Sequence, residues 1–187
     1  SADKILHHIR VCHDVCHSAV MFESQADVLR QYQSLGIQVG KIQVSSAVQV
    51  DFAQLAASDR TAAFEQLAGF NEPRYLHQTC IRESNQTIHF HQDLSAALET
   101  VTDAQTLEST WSVHFHVPIF LESLGLLSTS QHDILECMEV CKSMPNLEHF
   151  EVETYAWNVL PAHLQRSDLA QGIADELLWF RNLVSTD

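Results

Sequence analysis

The chain has 187 residues, of which 45% are hydrophobic and 18% are charged. This composition predicts one folded domain over residues 1–187 and excludes an intrinsically disordered chain. The formal net charge of −14, from 24 acidic and 10 basic side chains, argues against a nucleic-acid partner, because phosphate binding depends on lysine and arginine.

The apolar and cysteine patterns indicate where in the cell the protein is expected. The sequence has no run of about 18 apolar residues, so we expect no membrane span. The five cysteines are sparse and include no Cys-x-x-Cys pair. This pattern favours reduced thiols in a cytoplasmic protein.

Strand-like and helix-like stretches alternate along the chain. The predicted strands cover residues 9–12, 37–44, 75–81, 87–91, 111–120 and 149–155. The predicted helices cover residues 26–35, 60–67, 131–142, a stretch from Asp93 to 101, and a last stretch that starts at Asp168. Such alternation predicts parallel strands in an α/β fold, and stretches 75–81 and 87–91 can form one hairpin.

The first predicted strand is followed by Asp14-Val15-Cys16-His17. A carboxylate and an imidazole in one place suit a divalent metal ion. Alternatively, Asp14 caps the next helix and His17 packs beside it. The motif is short, and it does not decide between the two interpretations.

Two histidines alternate in the predicted strand 111–120. His114 and His116 share one face, and Val113, Phe115 and Val117 share the other. Buried imidazoles need polar partners, which are either a metal ion or backbone groups. His116 lies closer to the carboxyl end of the strand and is the better ligand candidate.

Glu151 and Glu153 repeat this pattern in the predicted strand 149–155, with Tyr155 on the same face. Two carboxylates on a buried face require a metal ion, an arginine or a shared proton. Glu153, nearer the end of the strand, is the candidate metal ligand or acid–base group.

Other polar residues are candidates for substrate contacts. Lys41 and Gln43 share a face of the predicted strand 37–44, and either contact substrate or form a polar edge. Arg74 is one of few basic residues and can hold an anionic group. His77 can act as a further ligand.

Five runs of the sequence resemble a known family. They read DVCHSAV, VGKIQVSSA, EPRYLHQ, VHFHVPIF and FEVETYAWNVLP, and they span residues 14–161. These runs are similar to the xylose isomerase-like TIM barrels, which include sugar-phosphate isomerases and epimerases and the zinc-dependent AP endonucleases. Within that superfamily they look like the barrel protein of bacterial metabolite-traffic gene clusters of the ebo type.

The resemblance implies a (β/α) TIM barrel of which this chain is the C-terminal part, with about five βα units and one inserted hairpin. Because an open half-barrel exposes strand edges, we expect self-association or an N-terminal half that completes the barrel. One departure is Gln43, which stands where the superfamily commonly has histidine.

The resemblance also implies a metal-dependent isomerase or epimerase that acts on a small sugar or polyol. The implied ion is zinc, manganese or magnesium, bound by Asp14, His17, His116 and Glu153. Glu153, His17 and His77 are the implied catalytic residues, and Gln43, Arg74 and Lys41 the substrate-binding ones. The alternatives are a phosphoester hydrolase of the AP endonuclease type and a non-catalytic scaffold that binds or transports a metabolite.

Overall fold

The computed structural model describes residues 2–154, 157–158, 160–162, 164–165 and 168–185. Its helices are α1 Ala2–His8, α2 Val15–Val20, α3 Gln25–Ser34, α4 Ala57–Ala68, α5 Leu94–Leu98, a 3-10 turn at Ala104–Thr106, α6 Gln131–Cys141 and α7 Leu169–Val184. Its strands are β1 Val11–Asp14, β2 Val39–Val44, β3 Val48–Asp51, β4 Thr79–Arg82, β5 Ile88–His91, β6 Thr110–Val113, β7 Ser123–Leu124, β8 Leu127–Thr129 and β9 Phe150–Val152.

These strands form two sheets. One is a three-stranded parallel sheet in the order β1-β2-β9. The other is a six-stranded antiparallel sheet in the order β5-β4-β6-β3-β8-β7. The expected (β/α) TIM-barrel fold, with about five parallel βα units, is therefore wrong. The N-terminal half expected to complete the barrel loses its basis, because it was inferred from that fold. Self-association stays a prediction that nothing here tests.

Two local features separate the structure from the prediction. The chain leaves β2 at Val44, crosses three buried residues and starts β3 at Val48, which pairs antiparallel with β6 and β8. The predicted strand 111–120 ends at Val113. Beyond it, the amide of His114 donates to the carbonyl of Gln78 over 2.8 Å, and the ladder does not continue.

Several predicted elements are confirmed. Stretches 75–81 and 87–91 contain the antiparallel hairpin of β4 and β5. The side chains of Asp93 and Asp168 cap α5 and α7. The strand predicted over residues 149–155 is present as β9, and its predicted end at Tyr155 lies outside the described residues.

Two apolar cores lie against the two sheets. The larger one packs the antiparallel sheet against α4, with Phe52, Leu67, Phe70, Trp111 and Phe115 fully or almost fully buried. The smaller one packs the parallel sheet against α3, α6 and α7, around the buried residues Leu29, Ile42, Val44, Ile134 and Met138.

Helix α7 turns a carboxylate toward the interior. Glu176 is only 1% exposed, and it accepts hydrogen bonds from the amide of Ile119, the hydroxyl of Thr154 and the indole N–H of Trp157. The apolar side chains of Ile173 and Leu177 on the same helix are 43% and 52% exposed. The three hydrogen bonds to Glu176 connect α7 to the segment after β6 and to the chain after β9. The apolar periodicity of α7 does not reveal them.

Across the described parts of the chain, every helix is too short or too polar to cross a membrane.

Candidate metal centre

The candidate centre lies where the carboxyl ends of the parallel strands meet the chain leaving β6. Asp14 ends β1 and is paired in register with Gln43 of β2, which is paired in turn with Glu151 of β9. Glu153 follows β9, and its amide donates to the carbonyl of Val44 over 3.0 Å. The ends of three strands therefore meet at one edge of the sheet, as the sequence predicts for Asp14 and Glu153.

Asp14 has two roles in this arrangement. Its Oδ1 accepts hydrogen bonds from the amide of His17 over 3.2 Å and from the hydroxyl of Ser45 over 2.7 Å. The Ser45 hydroxyl in turn accepts from the amide of Cys16 over 3.0 Å. The second oxygen, Oδ2, lies 3.8 Å from Nε2 of His17. Asp14 therefore caps α2 with one oxygen and faces the imidazole with the other.

Three imidazole rings converge beside Asp14. Nε2 of His114 lies 3.0 Å from Nε2 of His17 and 3.2 Å from Nε2 of His116. Two nitrogens bound to one tetrahedral zinc ion are about 3.3 Å apart, from the usual zinc–nitrogen distance. The separations in this cluster therefore match those of ligands around one ion.

A backbone contact fixes the tautomer of His116. Its Nδ1 lies 3.0 Å from the carbonyl oxygen of Glu153. A carbonyl oxygen only accepts, so Nδ1 carries the ring proton and Nε2 of the neutral ring has a lone pair. Metal-binding histidines in proteins are usually held in this way by their other nitrogen.

The rings of His114 and His116 are held in their neutral form. Burial is the main cause that lowers the pKa of His114 from 6.5 to about 4, and His116 and His17 add to it. Burial also lowers the pKa of His116. A proton on Nε2 of His114 can be donated to Nε2 of either His17 or His116, but not to both. Nitrogen lone pairs therefore remain directed into the cluster.

The described residues include two sets of three possible metal ligands. Within each set, the donor atoms lie within 4.8 Å of one another. The outer set comprises Asp14, His17 and His116, and the inner set comprises Cys16, His114 and His116. The outer set contains three of the four predicted metal ligands. From the sequence, Cys16 could line the site but was not among the expected metal ligands, and His116 was the better candidate than His114. The position of Cys16 between Asp14 and His17 was a usable signal for a ligand.

Glu153 has an unpaired buried oxygen at the same place. Its Oε2 has no hydrogen-bond partner among the described residues. Burial is the main cause that raises the pKa of Glu153, and Asp14 and Glu151 add to it, while Lys41 and His17 act in the opposite direction. A buried carboxylate without a partner is costly, so its position is best satisfied by a bound cation, a substrate hydroxyl or a proton.

The predicted substrate residues Lys41 and Gln43 lie on the same face of the parallel sheet. Lys41 pairs with the carboxylate of Glu151. The side-chain oxygen of Gln43 accepts a hydrogen bond from the thiol of Cys12 over 3.3 Å. These four side chains, of Cys12, Lys41, Gln43 and Glu151, are partly or fully exposed. Together they form a polar surface next to the candidate centre, which we call the polar wall.

His77 and Arg74 lie apart from the donor atoms. The ring of His77 is fully buried and stacks on Phe115, with Nδ1 3.1 Å from the carbonyl of His114 and Nε2 3.1 Å from Oε1 of Glu72. Arg74 is exposed, and its amide donates to Glu72. Proton transfer by His77 and anion binding by Arg74 stay predictions that the arrangement does not favour.

Comparisons of this chain with known protein families, with curated proteins and with solved structures find no match.

Proposed function

We propose that this protein binds a divalent metal ion through Asp14, His17 and His116 and uses Glu153 to move a proton on a small sugar or polyol, in an isomerase or epimerase reaction. The observation that carries the proposal is that ligand atoms of Asp14, His17 and His116 lie within 4.8 Å of one another, at the strand ends where Oε2 of Glu153 is buried and unpaired.

The donor set fits a metal ion of the zinc or manganese type. Imidazole nitrogen and carboxylate oxygen are the ligands that such ions take. The Nδ1 contact of His116 with the Glu153 carbonyl keeps its Nε2 available, and the hydrogen bond from Ser45 orients Asp14. Magnesium fits less well, because it prefers an oxygen environment that keeps several waters.

Glu153 fits the role of a base. A catalytic base works best with a pKa near the operating pH, and burial displaces the pKa of Glu153 in that direction. When bound, the metal ion polarises a carbonyl or hydroxyl oxygen of the substrate and acidifies the neighbouring C–H. Glu153 then takes that proton and returns it to the adjacent carbon or to the opposite face of the same carbon.

The polar wall beside the centre fits a substrate with several hydroxyl groups. Lys41 and Gln43 place an ammonium group and an amide on the face that also has Asp14. Such groups donate to and accept from hydroxyls, whereas an apolar ligand would leave them unpaired. The net charge of −14 adds support for a neutral or small substrate over a nucleic acid.

The test is solvent deuterium exchange into a panel of aldoses, ketoses and polyols, catalysed by the metal-loaded protein and followed by NMR. Wild type should label a carbon next to a carbonyl, and Glu153→Gln should lose about 10²- to 10⁴-fold of that rate, the usual contribution of a general base. The matched control is Glu148→Gln, which changes an exposed glutamate just before β9. Equal rates in Glu153→Gln and wild type contradict the proposal.

A second candidate is hydrolysis of a phosphoester. Histidine and carboxylate ligands also build hydrolytic zinc centres, in which a zinc-bound water attacks. The same metal-loaded protein tested on p-nitrophenyl phosphate esters separates the two reactions. Metal binding with neither reaction supports the non-catalytic metabolite-binding alternative.

A further inference from the structure

The inner donor set differs from the outer set because it contains a thiol, that of Cys16. Cys16 is fully buried, and it belongs to a small apolar cluster with Ala19, Val20, Ala47 and Cys80. A buried free cysteine is ordinarily a small apolar residue. Cys16 differs because its sulfur lies within 4.8 Å of ligand nitrogens of both His114 and His116.

We propose that ions of the zinc class are bound at this inner position, by the thiolate of Cys16 and the Nε2 atoms of His114 and His116. The inference rests on the proposed metal centre, with which it shares His116. Three protein ligands of the histidine and cysteine type, with a fourth position left for water or substrate, are the usual arrangement of a catalytic zinc site. His17, whose side chain is 60% exposed, lies next to His114 on the way to solvent.

The inner and outer positions hold one ion at a time. Nε2 of His116 belongs to both donor sets. Its Nδ1 is occupied by the Glu153 carbonyl and cannot bind a second ion. The choice between the positions therefore depends on the ion. Thiolate favours soft ions such as zinc and cobalt, whereas Asp14 in the outer set favours harder ions such as manganese.

The distances allow the inner set to close on an ion. The His114 and His116 nitrogens are already 3.2 Å apart, close to their expected separation of about 3.3 Å around zinc. A sulfur and a nitrogen on one zinc ion are about 3.6 Å apart. The sulfur of Cys16 lies within 4.8 Å of both nitrogens, so binding requires a contraction of at most about 1.2 Å. The thiol proton leaves to solvent when the sulfur–metal bond forms.

The experiment replaces zinc by cobalt(II), which reports thiolate ligation by a charge-transfer band in the near ultraviolet. Metal-free wild type, reduced with a phosphine, should bind one equivalent of cobalt with this band. Cys16→Ser should lose the band and bind zinc at least about tenfold more weakly. Cys80→Ser, which changes a second buried cysteine of the same cluster, should keep the band. Manganese affinity should be equal in Cys16→Ser and wild type.

The zinc-loaded wild type gives a direct reading that does not depend on any variant. X-ray absorption should show one sulfur at about 2.3 Å from zinc. Bound cobalt or zinc without a sulfur ligand, or a band that persists in Cys16→Ser, overturns the inner position and leaves the outer one standing. Failure of cobalt, zinc and manganese to bind overturns both proposals.

Discussion

Nδ1 of His116 donates its proton to the carbonyl oxygen of Glu153 over 3.0 Å. This bond joins the chain that leaves the antiparallel sheet to the end of β9 in the parallel sheet, and it directs Nε2 of His116 toward His114. The residue proposed as a ligand and the residue proposed as a base are therefore placed by one another. A change in the backbone at Glu153 would disturb both functions.

The contact of Ser45 with Asp14 gives the first prediction. Ser45→Ala removes the hydroxyl that donates to Oδ1 of Asp14 over 2.7 Å. We expect manganese affinity to fall about 10- to 100-fold, the usual effect of losing a partner that orients a ligand. Isothermal titration calorimetry of the metal-free protein measures this affinity. Ser128→Ala, at an exposed serine of β8, is the control, and equal affinities in the two variants would contradict the role of Ser45.

Ser45→Ala also affects the fold. The same hydroxyl accepts the amide proton of the buried Cys16. An unpaired buried amide costs about 1–3 kcal/mol of the free energy of unfolding. Urea unfolding at a metal-free baseline separates this cost from the loss in metal affinity.

The histidine cluster predicts how stability depends on pH in the metal-free protein. The pKa of His114 is lowered from 6.5 to about 4, mainly by burial and then by His116, His17 and, more weakly, His77, while Asp14 opposes this. Between these values the unfolded chain binds a proton that the folded chain does not bind. The contribution of His114 to the free energy of unfolding is therefore fully present above pH 6.5. It falls by about 3 kcal/mol as the pH decreases from 6.5 toward about 4.

Urea unfolding between pH 7 and pH 4 tests this for wild type and His114→Asn. The wild type should lose stability more steeply on acidification than the variant, because asparagine does not titrate. Parallel pH profiles of the two proteins would show that His114 is not held neutral by the fold.

Lys41 gives a prediction about catalysis. Its charge lowers the pKa of Glu153, against the larger effect of burial. Because the ionised form of Glu153 is the base, the exchange rate should rise as pH passes its pKa. In Lys41→Met this acid limb should move to higher pH. The measurement is kcat/KM for deuterium exchange against pH, with Arg30→Met on α3 as a control; an unmoved limb in Lys41→Met contradicts the coupling.

The fold expected from the sequence was wrong, and the roles expected of the site residues stay predictions. Asp14, His116 and Glu153 were chosen because each lies near the end of a strand-like stretch. Asp14 and Glu153 do lie at the carboxyl ends of parallel strands, whereas His116 follows a strand of the antiparallel sheet. The hairpin of β4 and β5 was also predictable, from two apolar runs with turn residues between them.

The antiparallel sheet was not predictable by the same reasoning. Alternation of apolar residues indicates a strand but not the direction of its neighbour. β3 begins at Val48, only four residues after Val44 ends β2, and the two strands belong to different sheets. The end of β6 at Val113 depends on the His114 amide bonding to Gln78, a contact between segments distant in sequence.

The most direct test of the central claim is elemental analysis of protein purified without chelators or metal-affinity resin, for wild type and for an Asp14→Asn, His116→Ala double variant, with His89→Ala in the distant hairpin as control. We predict about one zinc or manganese ion per chain in wild type and His89→Ala, and none in the double variant. The double change leaves the outer set one of its three ligands, and it also removes His116 from the inner set. No bound metal in wild type, even after incubation with either ion, or equal metal in the double variant, would contradict a metal centre at these residues.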